Sequence, residues 1–416
     1  MSTSATGAGK RLPLLHGQRP WALGFLGGVV FIFTLYQWVI PSSADSVQTF
    51  FQSWLPMSAL NTSVIWAICA IGLNIVVGYA GLLDLGYVAF WAIGGYVAGW
   101  FMSPFVSQMW PSWRDVEVNV FGHPAIGQNG GVHVSFWLVL PLAGLFTAFW
   151  GLIIGAPTLR LKSDYLALVT LGFGEIIPEV FRNGDNIYGF NLSNGDLGIG
   201  PLDPIALGPL ATIPGVPSVL GPFDLTFKFL VYAFLVAVAI FISLRIREGR
   251  LGRAWLAIRE DELAASMMGV PLMRAKLSAY AVGAFIGGVG GVAFATSNGS
   301  GHITQSDFSF QNSITLLAMV ILGGMGNVWG VLIGALILSW INLVGLHQVG
   351  SVINDLLHTD IDFPSFNFLV FGAILILMML FRREGLIPES RTRQILREPE
   401  RGELESVGAD LEGDPA

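Results

Sequence analysis

Charge is what this sequence has least of. Asp, Glu, Lys and Arg make up 12% of its 416 residues, against roughly a quarter in soluble globular domains, so most of the chain cannot form a wet surface. Cysteine is almost missing as well. Cys69 stands alone, which excludes an internal disulfide and leaves it as a small core residue in an apolar window. Catalytic constellations are equally scarce. The six histidines, His16, His123, His133, His302, His347 and His358, fall at no metal-ligand spacing and read as loop or interface residues. No Gly-x-Ser-x-Gly elbow occurs. The nearest approach to a phosphate loop, Gly7-Ala-Gly-Lys10, lacks its leading glycine and is followed by Arg11 instead of Ser or Thr, so ATP is not held here by that mechanism. If ATP drives this protein, another chain hydrolyses it. With no convergent nucleophile, base or metal set, a membrane enzyme is the poorest reading. The net charge of −7 owes much to acids in the loops and in residues 398–414, and no nucleic-acid partner is expected from it.

What is present is apolar. Hydrophobic residues reach 53% and the mean hydropathy is +0.65, the composition of a polytopic membrane protein. A spanning helix needs about 20 apolar residues. Segments of that kind fall at 22–40, 58–79, 82–103, 134–156, 164–182, 227–244, 274–297, 310–323, 326–345 and 366–381, predicting an all-α fold of about ten transmembrane or re-entrant helices. Ten crossings put both termini on one side. Of the 21 basic residues, 18 fall on that side, leaving Arg114, Arg182 and Lys228 opposite, so the positive-inside rule makes it the cytoplasm. The expected organisation is a cytoplasmic segment 1–20, a membrane domain 21–385 and a cytoplasmic acidic tail 386–416, polar, without aromatics and disordered. The first apolar stretch follows Lys10, Arg11 and Arg19 as a signal peptide would. Its length favours an uncleaved span, although Ser42-Ser43-Ala44 keeps cleavage open. The 52 glycines suit close helix contact in a bilayer, and Gly287, Gly288, Gly290 and Gly291 read as packing positions.

One charged island, residues 245–276, interrupts the apolar pattern. Within it Leu251, Trp255, Ile258, Leu263 and Met267 recur at helical spacing, predicting a short amphipathic helix with a sticky face outside the membrane. That is the shape of a dock for a soluble partner. Two outer loops, about 104–133 and 183–226, are long, and the second is rich in turn residues. They form either a docking surface or plain connections.

Polar oddities also lie within the spans. Leu171-Gly-Phe-Gly-Glu-Ile-Ile-Pro178 reads as a broken helix, a form tolerated only against protein or a water-filled cavity. Its acid would cost on the order of 2.5 to 3.5 kcal/mol facing lipid at mid-depth. Glu175 therefore faces a pathway or pairs with a neighbour, unless the segment lies at the wet interface. A similar break at Leu322-Gly-Gly-Met-Gly-Asn-Val-Trp-Gly330 predicts a hairpin with a short first limb. Asn74 and Asp84 bracket a tight turn, where Asp84 reads better as a helix-terminal cap than as a substrate contact.

Four blocks then carry a resemblance. Leu73-Asn-Ile-Val-Val-Gly-Tyr-Ala-Gly-Leu-Leu-Asp-Leu-Gly-Tyr-Val-Ala-Phe90, Asp164-Tyr-Leu-Ala-Leu-Val-Thr-Leu-Gly-Phe-Gly-Glu-Ile-Ile177, Ala257-Ile-Arg-Glu-Asp-Glu-Leu-Ala-Ala-Ser-Met-Met-Gly269 and Leu322-Gly-Gly-Met-Gly-Asn327 resemble, in order, the LivM type of permease subunit from branched-chain amino acid ABC importers. The resemblance implies a cell-membrane permease that moves Leu, Ile or Val inward by ATP-driven alternating access and catalyses no reaction itself. It implies a homologous second permease, ABC ATPase subunits that use ATP and Mg²⁺, and an extracytoplasmic amino-acid-binding protein as partners. It makes the island a coupling loop, with Arg259, Glu260, Asp261, Glu262, Ala264, Ala265 and Gly269 at the ATPase: small alanines for close approach, Glu262 for a basic residue there, Gly269 to end the helix. Asn74, Thr170, Gly172, Gly174, Glu175, Gly323, Gly324 and Asn327 become the substrate pathway, with half-helix dipoles at 172–175 and 323–327 for the zwitterion. Two alternatives stay open: a urea or short-amide permease of the same architecture, and an ion-coupled secondary transporter, against which the docking pattern argues.

Overall fold

The computed structural model describes residues 18–110, 112, 116–118, 130–161, 163–205, 224–297, 301–358, 362–382 and 385–387. The expectations for segment 1–17 and for the acidic tail beyond 387 lie outside these residues. Residues 1–51 and 52–416 form separate compact units. In the first, α1 (Arg19–Thr34) passes into a π-helical turn, Leu35–Val39, and exposes Leu23, Leu26, Val30 and Phe31, as a lone span does. The unit boundary falls within α2 (Asp45–Trp54).

The described residues of the second unit are mainly helical: α3 (Met57–Leu73), α4 (Val88–Phe101), α5 (Phe105–Met109), α6 (Phe136–Thr158), α7 (Ser163–Arg182), α8 (Leu225–Glu248), α9 (Arg250–Glu260), α10 (Glu262–Met267), α11 (Leu272–Ser297), α12 (Phe310–Gly323), α13 (Val328–Trp340), α14 (Leu346–Leu357) and α15 (Asn367–Phe381). Among the described residues seven helical stretches are long and apolar enough to cross a membrane: Pro20–Val39, Asp45–Tyr79, Phe136–Thr158, Leu225–Glu248, Leu272–Ser297, Val328–Leu356 and Phe363–Phe381. Of the ten segments expected, α4 and α12 are apolar but only 14 residues each, and α7 is amphipathic. Lipid offers the backbone no hydrogen bonds, so helix is the form these runs take.

α11 lies at the centre, with α3, α4 and α6 packed on it. Glycine makes this possible. A Cβ on Gly94 of α4 would stand 2.2 Å from the carbonyl oxygen of Gly288 on α11, a backbone approach that no other residue allows and the usual basis of tight helix contact in a bilayer. Around it Trp91 meets Trp66, Phe294 and Phe308 edge to face, with centroids 4.9 to 5.9 Å apart. At one end a small sheet joins β1 (Met102–Ser103), β2 (Val116–Val118) and β3 (Val132–Val134) in the order β1-β3-β2.

Candidate functional site

The island leaves the membrane body at Gly249, which is extended and starts α9. Trp255 and Ile258 are buried. The Trp255 indole Nε1–H donates to the Ala275 carbonyl at 2.9 Å and to Ser278 Oγ at 3.0 Å, tying α9 to the first two turns of α11. Asp261 ends α9 and caps α10, its Oδ1 accepting the Ala264 N–H at 2.9 Å. At the other end Val270 N–H reaches Ala265 O and Gly269 N–H reaches Ser266 O, with Gly269 at φ +81°. This is a Schellman closure, which needs a left-handed residue at that position. The expected single amphipathic helix is therefore two helices. A strict helical period from Leu251 to Met267 fails because Asp261, at φ −156°, breaks the first helix in order to cap the second. The sticky face divides: Trp255 and Ile258 face the body, whereas Leu263, Met267 and Met268 are 68%, 77% and 85% exposed.

Three residues expected at the ATPase have in-chain roles as well. Glu262 Oε1 pairs with Lys276 Nζ at 2.6 Å, the lysine nearly buried and the acid half exposed. Ala265 is buried while Ala264 is exposed. Arg259 turns inward and donates from Nη1 to the Gly78 carbonyl, leaving Glu260 on the outer surface.

Gly78 belongs to a π-helical segment, Asn74–Tyr79, that continues α3. Irregular turns of this kind recur at functional positions. Arg247 lies 5.7 Å from the Tyr79 ring centroid and the Tyr79 hydroxyl bonds Ser243 Oγ at 3.1 Å, so α8 grips the same segment. From its buried side Asn74 Oδ1 accepts the Gly326 N–H at 2.9 Å. Gly326 sits in the α12–α13 turn, where Gly324 (φ +111°) and Gly326 (φ +89°) occupy positive φ. Asn327 caps α13, accepting from Trp329 N at 3.1 Å, and its Nδ2 donates to the Ile387 carbonyl at 3.1 Å. Ile387 N–H in turn reaches Gly323 O at 3.1 Å. The hairpin expected at 322–330 is present. Asn74, Gly323, Gly324 and Asn327 meet there, and both polar ends of the Asn327 amide are engaged within the chain.

The remaining candidates lie on α7. Contrary to the expectation of a break, α7 is continuous from Ser163 to Arg182, with Pro178 inside it. A proline removes one ladder hydrogen bond, and in an apolar segment the remaining bonds hold the helix together; no half-helix begins at Gly172. Buried Thr170 accepts the Leu85 N–H at 3.0 Å through Oγ1. Gly174 meets the Cα of Gly86 at 3.0 Å from its would-be Cβ, whereas Gly172 faces open space. Glu175 lies about 18 Å along a helix of roughly 30 Å and lines a cleft of about 320 Å³ with Pro178, Glu179, Gln305, Phe308, Ser309, Phe310 and Gln311. The cleft thus joins the C-terminal half of α7 to the first turn of α12.

Sequence reasoning missed two buried polar pairs at the far end from the island. His133 Nδ1 meets Asp203 Oδ2 at 2.7 Å, and buried Lys228 donates to the Thr296 carbonyl at 2.8 Å. Their partners are 70 and 68 residues away in the chain, so no local pattern announced them. Asp84 is buried and caps its own turn through Gly86 N–H at 2.8 Å.

Comparison with known proteins fits this arrangement. The chain matches the family described as the permease component of the branched-chain amino acid transport system, over residues 55–379. It is 33% identical to the high-affinity branched-chain amino acid transport system permease protein LivM of Salmonella typhimurium, covering 80% of this chain and 70% of that one. The LivM of Escherichia coli is 33% identical with the same coverage. A probable branched-chain amino acid transport permease protein LivM from Methanocaldococcus jannaschii is 24% identical over 78% of this chain and 91% of its own. No solved structure matches. A multi-pass helical membrane protein, this chain belongs to the permease-component family of branched-chain amino acid transport systems.

Proposed function

We propose that the chain forms, with a homologous second permease, the pathway of an ATP-driven importer of leucine, isoleucine and valine. The observation that carries the coupling half of this reading is the exposed patch of Leu263, Met267 and Met268 on α10. The helix is only six residues long, capped at both ends and tied to α11 through Glu262 and Lys276. An apolar patch held rigid outside the spans fits a soluble partner, and ABC ATPase subunits are that partner. ATP and Mg²⁺ are bound by them and not by this chain. An extracytoplasmic binding protein delivers the amino acid on the opposite face. The excess of Lys and Arg on the island side makes that side, with both termini, cytoplasmic.

ATP binding closes the ATPase pair, the island moves with it, and the permease pair opens toward the loaded binding protein; hydrolysis reverses the movement and releases cargo inward. A branched-chain zwitterion needs apolar walls and polar ends along its path. The cleft at Glu175 supplies both, with Phe308, Phe310 and Pro178 beside Glu175, Gln305 and Gln311. The test is uptake of labelled leucine in cells with and without the chain. Loss of uptake on deletion, with competition by isoleucine and valine but not by urea, supports the reading; unchanged leucine uptake with loss of urea or amide uptake overturns the cargo.

A further inference from the structure

We infer that Arg259 and Asn74 are positioning residues that carry movement of the island to the α12–α13 turn, and through α12 to the cleft at Glu175. This inference rests on the transport reading above but concerns contacts inside the chain: Arg259, expected at the ATPase, is half-buried and turns inward to Gly78.

Three elements are joined in series by hydrogen bonds to backbone. Arg259 of α9 donates to the carbonyl of Gly78. The approach is closed on one side by Gly81, which at φ +68° lies against the Arg259 Cα, Cβ and Cγ at 2.9 to 3.3 Å from its would-be Cβ. Gly78 in turn has no room on its other side: a Cβ there would come within 2.0 Å of Asn74 Oδ1 and 2.7 Å of Gly326 N. Asn74 then holds Gly326 N–H at 2.9 Å, 252 residues away in sequence. Arg259, the π segment and the turn are thus in direct succession, packed closely enough to pass a displacement on.

The far end of the linkage is stiff. Gly323 and Gly330 meet backbone to backbone, at 2.3 to 2.6 Å from their would-be Cβ atoms, so α12 and α13 are held together at the turn. α12 is one unbroken helix from Phe310 to Gly323, and its first residues line the cleft. The middle of the linkage is the adaptable part. A π-helical segment differs from α-helix by one residue of register, and Asn74 Nδ2 is buried with no hydrogen-bond partner among the described residues. A donor left over in one arrangement is available to an acceptor in another, which is what a two-state element requires.

The complete importer in proteoliposomes tests this, with ATP hydrolysis and leucine uptake measured separately. Arg259→Ala and Asn74→Ala should each keep the ATPase subunits bound and hydrolysis running while uptake per ATP falls about tenfold. Because the links are in series, the double variant should be no worse than the more severe single one, and Arg259→Lys, which retains a donor, should recover part of the loss. Unchanged uptake per ATP in either single variant, or losses that multiply in the double, overturns the inference. A second measurement covers variants that assemble poorly: hydrogen exchange of segment 322–330 in the milder Arg259→Gln and Asn74→Ser. Faster exchange in both is expected, and an unaltered segment in Arg259→Gln contradicts the linkage. Exchange needs no cargo, so it decides the linkage even if the wild-type importer carries no leucine, an outcome that would sink the transport reading instead.

Discussion

At Gly269 the backbone conformation is the constraint, since a Cβ there would meet nothing within 4 Å yet φ is +81°. Substitution by Ala should therefore destabilise the end of α10 by roughly 1–2 kcal/mol. Asn, which tolerates the left-handed region, should cost less. Hydrogen exchange across α10 should rise in the order wild type, Gly269→Asn, Gly269→Ala; equal exchange in all three would show that the closure does not hold the helix. Glu175 is the opposite case, a side chain whose charge is the point. In the C-terminal half of α7 it is too expensive to face lipid, by about 2.5 to 3.5 kcal/mol at mid-depth, and the cleft gives it another environment. Glu175→Gln should lower leucine uptake while leaving the amount of assembled importer unchanged. Uptake at the wild-type rate would remove the carboxylate from the pathway.

Among elements, the contrast between two glycines isolates packing from flexibility. Gly94→Val pushes side-chain atoms into the Gly288 carbonyl of α11 and should cost about 3 kcal/mol or more, seen as loss of folded protein from the membrane. Gly172→Ala, at a position with open space around it, should accumulate normally; a matching loss would mean that α7 is covered by something its own chain does not provide. Helices as elements were legible in the sequence because a long apolar run in a bilayer has no other backbone solution. Their interruptions were legible only in part. The hairpin at 322–330 announced itself through Gly323, Gly324 and Asn327, residues that a turn requires and a span does not. Glycines and a proline in α7 gave the same signal falsely, because Gly174 serves contact with Gly86 and Pro178 is carried within a continuous helix. The π segment Asn74–Tyr79 has no sequence signature at all.

For the whole molecule, the island was readable because seven basic residues between 245 and 276 cannot lie in lipid. What each of them touches was not. Arg259 and Glu262 stand three residues apart, one at the end of α9 and the other at the start of α10, yet one reaches back to Gly78 and the other across to Lys276. Those destinations depend on how α3, α9 and α11 pack, which spacing along one helix does not encode. The same packing leaves Leu263, Met267 and Met268 outside, the apolar patch on which the proposed ATPase contact rests. The most direct measurement is leucine uptake by proteoliposomes that contain the complete importer, with ATP inside, comparing wild type with the Leu263→Asp, Met267→Asp double variant. The account predicts ATP-dependent uptake in the wild type, and in the variant a fully inserted permease that neither retains the ATPase nor accumulates leucine. Equal uptake with and without ATP, or an unimpaired variant, would contradict it.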